Sequence, residues 1–463
     1  MSASIPVGLK FFTGQAVVAA AAAPALLAIG AGIGRLWLGI VLAVVALGLG
    51  VVSVRGRTAT GWVRALYSWR RRRATAPAAP TEPGVGATVM PGDHVAVRWH
   101  DQDMVALIEL IPRPYTPSVI INQHCFSDDV IDTALVEKLL QSHCPDVEAD
   151  VISAGYRVGK TAPTGVVSLY EQMIGTLPAP AHRRTWIQLR ADPERTRRSA
   201  QRRADGVAGL ARYLVASATR IADQLAGHGV DARCARSFDD FDRATAVSFE
   251  NESWSSIQGR NTFTAAYSAP GGPDAWWSVR ADHTITRVTV RPGGSPISTV
   301  LLTTLANPTT PRGFSRLFGG QRAALSGLSP ITDQHHKLPI GSAGVLIGET
   351  TDRHPVFMPF DDVDNRIVVG DGLVFSQFMV RSAAAGAVVT VDGRLREFGD
   401  MVNAGFGEPK LSWPSATTYF TPHHRVEQVT IHRNYITTPR HGKLPIRLVQ
   451  PREESRYADA LKR

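Results

Sequence analysis

Aspartate pairs are the first residues whose spacing could support chemistry. Asp362 and Asp364 form an Asp-x-Asp pair, the arrangement by which many nucleotide-sugar transferases hold a divalent cation through carboxylate oxygens. The same spacing recurs at 101–103 and at 240–242, so the match by itself carries little information. A solvated loop is therefore the favoured interpretation, and a nucleotide-sugar-dependent transferase is kept as the alternative.

A glycine-containing stretch from Gly370 to Gly372 occupies the place of a phosphate-binding loop. It follows a predicted strand at 365–371 and precedes a helical pattern that begins near Leu373. A phosphate loop needs GxxxxGK[ST], in which the lysine meets the β- and γ-phosphates, and here the lysine is missing and the spacing differs. A tight turn is favoured, although free N–H groups at a helix start can bind an anion. A small-ligand sensor is thus a further alternative.

Two His-Cys dyads, at 124–125 and 143–144, could be drawn as a zinc site. Adjacent residues on a strand point to opposite faces, so each dyad readily supplies only one ligand, and unrelated cysteines are favoured. Near Ser315, Leu317 stands where a GxSxG nucleophile motif has its second glycine. The sequence therefore predicts no catalytic residue, no metal and no cofactor, and we expect no enzyme.

Basic charge is concentrated at the N-terminus. Of the formal net charge of +10, residues 1–85 carry +8, since nine lysines and arginines there face the single acid Glu82. The remaining chain is almost neutral, so it offers no basic stripe for nucleic acid. The three cysteines are too few for a disulfide framework and fit a reducing compartment.

Two apolar runs without charge, at about 15–34 and 36–54, predict a transmembrane helical hairpin within residues 1–57. Each run approaches the roughly 20 residues that a spanning helix requires. A cleaved signal peptide is the alternative, but it predicts one apolar run rather than two. Lys10 before the first run and arginines after the second place both termini in the cytoplasm, and Trp37 falls at the outer interface.

Residues 58–86 predict a basic juxtamembrane helix followed by a Pro/Ala linker. Trp62, Leu66 and Trp69 share one helical face, and arginines follow at once. This pattern is typical of a helix lying on an anionic leaflet, and a stop-transfer cluster with aromatics at the headgroups remains equally open. The residues predicted to anchor the chain in the membrane are Trp37, Trp62, Leu66, Trp69, Arg70, Arg71, Arg72 and Arg73.

Residues 87–463 predict a cytoplasmic α/β domain, because strand and helix patterns alternate along it. The expected elements include a hairpin at 94–111, a helix at about 127–139, one long helix at about 196–226 and three successive strands at 263–304. A βαβ unit is expected at 365–392. A domain boundary within 311–339 and a single domain with that stretch as a long loop are both left open.

Several segments resemble a known family. They span nearly the whole chain: GLKFFTG at 8–14, PGDHVAVRW at 91–99, RGFSRLFGG at 312–320, LPIGSAG at 338–344, MPFDDVD at 358–364 and PREESRY at 451–457. In these segments the chain resembles EccE, the membrane subunit of mycobacterial type VII (ESX) secretion systems, and most of all the members from the first-described ESX system.

The resemblance implies a structural core component of an inner-membrane secretion complex that supports protein export. It implies the partners EccB, the EccC ATPase and EccD, with the associated mycosin protease as a further candidate, and a multi-pass location among inner-membrane lipids. It also implies a degenerate glycosyltransferase-like fold for the cytoplasmic domain. It transfers no catalytic residue, because the family offers no catalytic motif to match.

Overall fold

The computed structural model describes residues 7–9, 14–54, 57–72, 95–327, 333–421, 428–449 and 452–461. The predicted linker at 74–86 lies outside these residues. The helices, α1 to α13 in chain order, are Gly14–Gly32, Leu36–Val51, Ala59–Arg72, Thr133–His143, Thr164–Ile174, Pro193–Gln201, Gly206–Gly227, Asp239–Thr245, Gly272–Ser278, Gln321–Leu325, Gly372–Ala385, Arg396–Val402 and Ser455–Ala460.

The strands of the described residues fall into five sheets. In chain order from β1 to β28 they are Val7–Leu9, Val52–Val54, Arg57–Thr58, Val97–His100, Asp103–Leu110, Ser118–Ile121, His124–Phe126, Val130–Asp132, Glu148–Tyr156, His182–Ala191, Ala232–Cys234, Asn251–Glu252, Ile257–Gln258, Phe263–Ser268, His283–Val290, Ile297–Thr304, Ser315–Arg316, Lys337–Pro339, Val345–Glu349, Pro355–Met358, Asn365–Val369, Val388–Val391, Gly405–Phe406, Lys410–Ser412, Thr417–Phe420, Val429–Ile431, Tyr435–Thr438 and Gly442–Pro445.

An eleven-stranded sheet forms the first half of the α/β domain, with the order β11-β5-β10-β9-β15-β16-β14-β13-β12 and with β4 and β17 at its margins. Its pairings are antiparallel. Along β5, Met104, Ala106 and Ile108 enter one hydrophobic core, whereas Val105 and Leu107 enter another. Successive residues of a strand point to opposite faces, so this sheet is buried on both sides.

The second half is built around an eight-stranded mixed sheet, β23-β22-β24-β25-β21-β26-β27-β28. Helix α11 packs on it, and its residues are almost all buried because apolar side chains surround the helix. The core beneath α11 also takes in Val166 and Leu169 of α5, which is remote in sequence. The chain therefore contributes to the second core from both halves, and a division within 311–339 stays a prediction.

The α/β class and several elements are confirmed. The predicted hairpin at 94–111 is β4 and β5, which pair antiparallel with His100 opposite Asp103. The expected βαβ unit has the correct element order, β21, α11 and β22. However, β24 and β25 lie between its two strands in the sheet. Nothing in the local sequence specifies which later strands insert at that place.

Three predicted elements were wrong in detail. The long helix is two helices, α6 and α7, and Gly206, the first residue of α7, adopts φ +59°, a conformation that favours glycine. Trp276 lies in the short helix α9 rather than in a strand. Residues 130–132 form a strand, so the following helix starts at Thr133 and is capped by Asp132, whose side chain accepts from Ala134 N–H.

The N-terminal hairpin is present as α1 and α2, which pack against each other. Within the described residues, neither these helices nor any other combines the length and the apolar character required to cross a membrane. The second helix also ends earlier than predicted, because Val52–Val54 pairs with Val7–Leu9 as a strand. β-Branched valines favour extended backbone over helix.

Candidate functional site

A polar cleft of about 630 Å³ lies where the ends of β9 and β10 meet the segment before β21. Asp361, Asp362, His182 and Ser342 line it. Asp361 is only 4% exposed. Its Oδ2 lies 2.5 Å from His182 Nδ1 and accepts a hydrogen bond of 2.8 Å from Ser342 Oγ. The cleft thus brings together groups from distant parts of the sequence.

Ser342, His182 and Asp361 do not form a nucleophilic triad. In a triad the base lies within hydrogen-bond reach of the nucleophile and the acid orients the base. Here Ser342 Oγ donates to the carboxylate and accepts from Arg183 N–H at 2.8 Å. The hydroxyl therefore bridges a strand to the aspartate, and the arrangement fixes the position of Asp361.

Asp362 is the most perturbed acid of the cleft. Burial, and after it the charge of Asp361, raises its pKa from 3.8 to about 7. Tyr156, whose ring centroid lies 5.4 Å from that of His182, has its pKa raised to about 12 by burial and then by Asp361. Its hydroxyl therefore stays neutral near neutral pH. The cleft combines two adjacent carboxyl groups with hydroxyl, imidazole and arginine side chains.

The predicted Asp-x-Asp pair is not assembled as a joint ligand set. Asp362 lines the cleft, whereas Asp364 is exposed and its Oδ1 accepts from Thr417 N–H at 2.7 Å. Within the described residues, no group of three or more His, Cys, Asp and Glu side chains is arranged to hold a metal ion. The sequence pattern missed Asp361, whose partner His182 lies on β10.

The glycine-rich stretch forms the start of α11, and Asp371 caps that helix by accepting from Val374 N–H at 2.9 Å. Arg433 Nε also donates to this carboxylate. Burial acts to raise the pKa of Asp371, but these hydrogen bonds outweigh it and lower the pKa. The helix N-terminus is therefore already occupied by a negative charge. A Cβ on Gly370 would lie 2.4 Å from His432 Nδ1, whereas Gly372 faces open space.

The two His-Cys dyads are not brought together either. Cys144 lies in the first core, and burial raises its pKa to about 12. Cys125 packs against the second core. Nδ1 of the neighbouring His124 lies 3.0 Å from Asp274 Oδ2. Each cysteine is a packed apolar side chain of its own core.

The predicted anchoring residues occupy two environments. Trp37 is 64% exposed on α2, and Leu66, Arg70 and Arg71 are exposed on α3. Trp62 and Trp69 instead pack against Trp254 of the α/β domain. Arg72 ends α3, its side chain is outside the described atoms, and Arg73 lies outside the described residues.

The class defined by these features is an α/β protein with an apolar N-terminal helical hairpin and a polar cleft. A family model described as a putative type VII ESX secretion system translocon protein, EccE, matches residues 179–269. The "ESX-1 secretion system protein EccE1" of Mycolicibacterium smegmatis is 63% identical, with 98% of each chain covered. The protein of the same name from Mycobacterium tuberculosis is 61% identical over 98% of this chain and 99% of its own.

A more distant relative is the "ESX-5 secretion system protein EccE5" of Mycobacterium marinum, which is 26% identical over 67% of this chain and 83% of its own. The identities to the ESX-1 proteins extend over nearly the whole chain. This chain belongs to the EccE family of type VII secretion proteins.

Proposed function

We propose that this protein is a structural component of an ESX-1 type VII secretion system and supports the export of substrate proteins. Identity of 61–63% over 98% of the chain to relatives that carry the ESX-1 name carries the proposal. Identity at that level over nearly the whole chain supports a shared fold and, with it, the same role in the assembly. We infer that it acts without catalysis, in association with EccB, EccC, EccD and the mycosin protease.

Its proposed location is the inner membrane, with both termini in the cytoplasm. Support comes from α2, where apolar side chains face outward without protein cover: Leu36, Trp37, Ile40, Val41, Leu42, Val44, Val45 and Leu47 are all at least 37% exposed. A lipid environment would remove this apolar surface from water without burying any polar group. The exposed Arg70 and Arg71 would face anionic headgroups.

The glycosyltransferase-like character of the domain also stays a prediction. A working transferase of the metal-dependent kind would need Asp362 and Asp364 to act on one cation, and the two side chains point to different surroundings. Changing both to asparagine should leave secretion and complex formation intact. Loss of secretion with an intact complex would instead favour a transferase.

The assembly proposal is tested by mild detergent extraction followed by native electrophoresis. We expect the protein to migrate with the ATPase of the system in one large complex, and deletion of residues 14–54 to release it into the soluble fraction. Migration only as a free monomer from freshly extracted membranes would contradict the proposal.

A further inference from the structure

One face of the eight-stranded sheet packs into no hydrophobic core of the described residues. Successive residues of a strand point to opposite faces, and the strand register therefore separates the two sides of the sheet. Leu411, Ile367 and Ile436 point to one side and enter the second core together with α11. The apolar and aromatic side chains on the other side enter none of the cores: Val368, Val388, Tyr419 and Tyr435.

The charged residues of this sheet all lie on that second side. Lys410 of β24 lies opposite Tyr419 of β25, which lies opposite Arg366 of β21. Two residues further along β21, and therefore on the same side, a second cross-strand row consists of Val368, Thr430, Thr437 and Lys443. Arg366, Lys410 and Lys443 are the only charged residues in the eight strands, and all are basic. We call this side the basic face.

The positive charge of the basic face is not neutralised locally. Arg366 and Lys443 are exposed and Lys410 is half-buried, and within the described residues none of them forms an ion pair. Asp364 lies at the margin just before β21, where its Oδ1 accepts from Thr417 N–H. The strands themselves therefore present cations, hydroxyls and a few apolar groups without any carboxylate.

We propose that the basic face docks an acidic segment of a partner protein. Interfaces place complementary potentials against each other, so three cations without an acid select a negatively charged partner. Lys410 and Arg366 are two strands apart, which is about 10 Å, a spacing that two carboxylates of one segment can match. Val388, which is 52% exposed, adds apolar contact beside the cations. The inference rests on the proposed function, because it assigns one contact surface of the assembly.

Other occupants fit the basic face less well. A second copy that docked through the same face would bring like charges together. The ring of Tyr435 is already stacked on His432 at 4.4 Å and contacted by Lys443 Nζ at 3.9 Å, so it is no free platform for a nucleic-acid base. Recognition of anionic lipid takes a cluster of roughly four to eight cations, whereas the three cations here are spread from β24 to β28 across the sheet.

Photo-crosslinking from the basic face in native membranes tests the proposal. A photoreactive amino acid replaces Val388 in the tagged full chain, and the peptide that is crosslinked on irradiation is sequenced by mass spectrometry. We expect a peptide of another protein that carries net negative charge. Arg366→Glu combined with Lys410→Glu should lower the yield of this adduct by about fivefold or more, because both attractions become repulsions. Lysines in place of the acids of the crosslinked peptide should restore it.

The matched control is Lys138→Glu combined with Arg212→Glu. It makes the same change of net charge at exposed positions of α4 and α7, away from the basic face, and it should leave the yield unchanged. Thermal unfolding checks that each variant folds. If the reversed chain fails to melt cooperatively, Arg366→Gln combined with Lys410→Gln replaces it and should lower the yield by about twofold or more.

Several outcomes overturn the docking site: an adduct with a lipid, with nucleic acid or with a second copy of the chain, a crosslinked peptide without net negative charge, or a yield that charge reversal leaves unchanged. Native electrophoresis of the same membranes separates this failure from failure of the proposed function. A large complex without the acidic adduct overturns the docking site alone. A free monomer without the adduct overturns both, and a free monomer that forms the acidic adduct overturns only the assembly.

Discussion

The indole ring of Trp69 lies edge-on against that of Trp254, with the ring centroids 5.4 Å apart. Trp69 Nε1 also donates a hydrogen bond of 3.1 Å to Glu252 O, and Trp62 packs at 6.0 Å from Trp254. The aromatic face of α3, predicted to lie on lipid, therefore contacts the α/β domain. We infer that α3 fixes the orientation of the domain relative to the N-terminal hairpin.

Trp254→Ala should loosen this attachment. It removes two aromatic contacts, each contributing about 0.5–1.5 kcal/mol beyond the buried area. We expect faster tryptic cleavage at Arg70 and Arg71, followed by mass spectrometry, and little change in the unfolding of the α/β domain. Trp37→Ala is the matched control, since that side chain is 64% exposed on α2. Equal cleavage rates for the two variants would contradict the inferred attachment.

The C-terminal segment is held by a buried ion pair. Arg381 Nε and Nη2 donate to the two oxygens of Glu454 at 2.9 and 2.8 Å, and both side chains are almost fully buried. Arg381→Met should lower the free energy of unfolding by about 3–5 kcal/mol, because it leaves the buried Glu454 carboxylate without a cation and with the Gln377 amide as its remaining donor. Urea denaturation measures the loss.

Two further variants test the cause of that loss. Arg381→Met combined with Glu454→Leu should be less destabilising than Arg381→Met alone, because no unpaired charge remains. Arg433→Met, which breaks an exposed pair with Asp371, should cost at most about 1 kcal/mol. A double variant as unstable as the single one would show that packing, not the unpaired carboxylate, dominates.

Stability should fall as the pH rises through the pKa of Asp362. Burial and Asp361, with a smaller effect of Asp129, raise that pKa from 3.8 to about 7, and Tyr115 also lies close enough to be affected. Between pH 3.8 and about 7, the native chain retains a proton that the unfolded chain has released, so the stability that this group contributes falls as the pH rises through that window. That contribution is full at acidic pH and lost at alkaline pH.

Denaturant unfolding at about pH 5 and about pH 8 measures the part of this contribution that is lost between those two conditions, at roughly 1.4 kcal/mol for each pH unit between pH 5 and the folded-state pKa. Asp362→Asn should reduce the decrease in stability between the two conditions, whereas Asp364→Asn should keep it. If the wild type and Asp362→Asn lose the same stability between the two pH values, then the Asp362 carboxyl does not titrate in this pH range.

Charge introduced on α2 should weaken membrane association. Ile40→Lys and Val44→Lys place ammonium groups at positions 47% and 63% exposed, and a lysine at a helix centre in lipid costs about 2.5–3.5 kcal/mol. Ultracentrifugation of cell lysates should find more of the double variant in the supernatant. Val207→Lys, at an exposed apolar position on α7, should stay with the membrane fraction. Equal release of both would contradict lipid contact by α2.

Local sequence patterns were sufficient for elements whose stability is local. Alternation predicted the β4–β5 hairpin, and the apolar spacing from Leu210 to Leu225 predicted the buried face of α7, all of which is buried in the fold. Val207, assigned to the same face, is exposed, because it lies in the first turn next to the break at Gly206. Periodicity identifies a face but not how far the neighbouring sheet extends along it.

The sequence by itself determined the apolar hairpin, the α/β class and the family, because these depend on composition, periodicity and short segments. Only the tertiary structure decided that Asp361 meets His182, that Asp362 and Asp364 diverge, and that Trp69 packs on Trp254. Those contacts join residues up to 185 positions apart. Sequence spacing specifies neighbours along one helix or strand, whereas strand order and core packing bring distant side chains together.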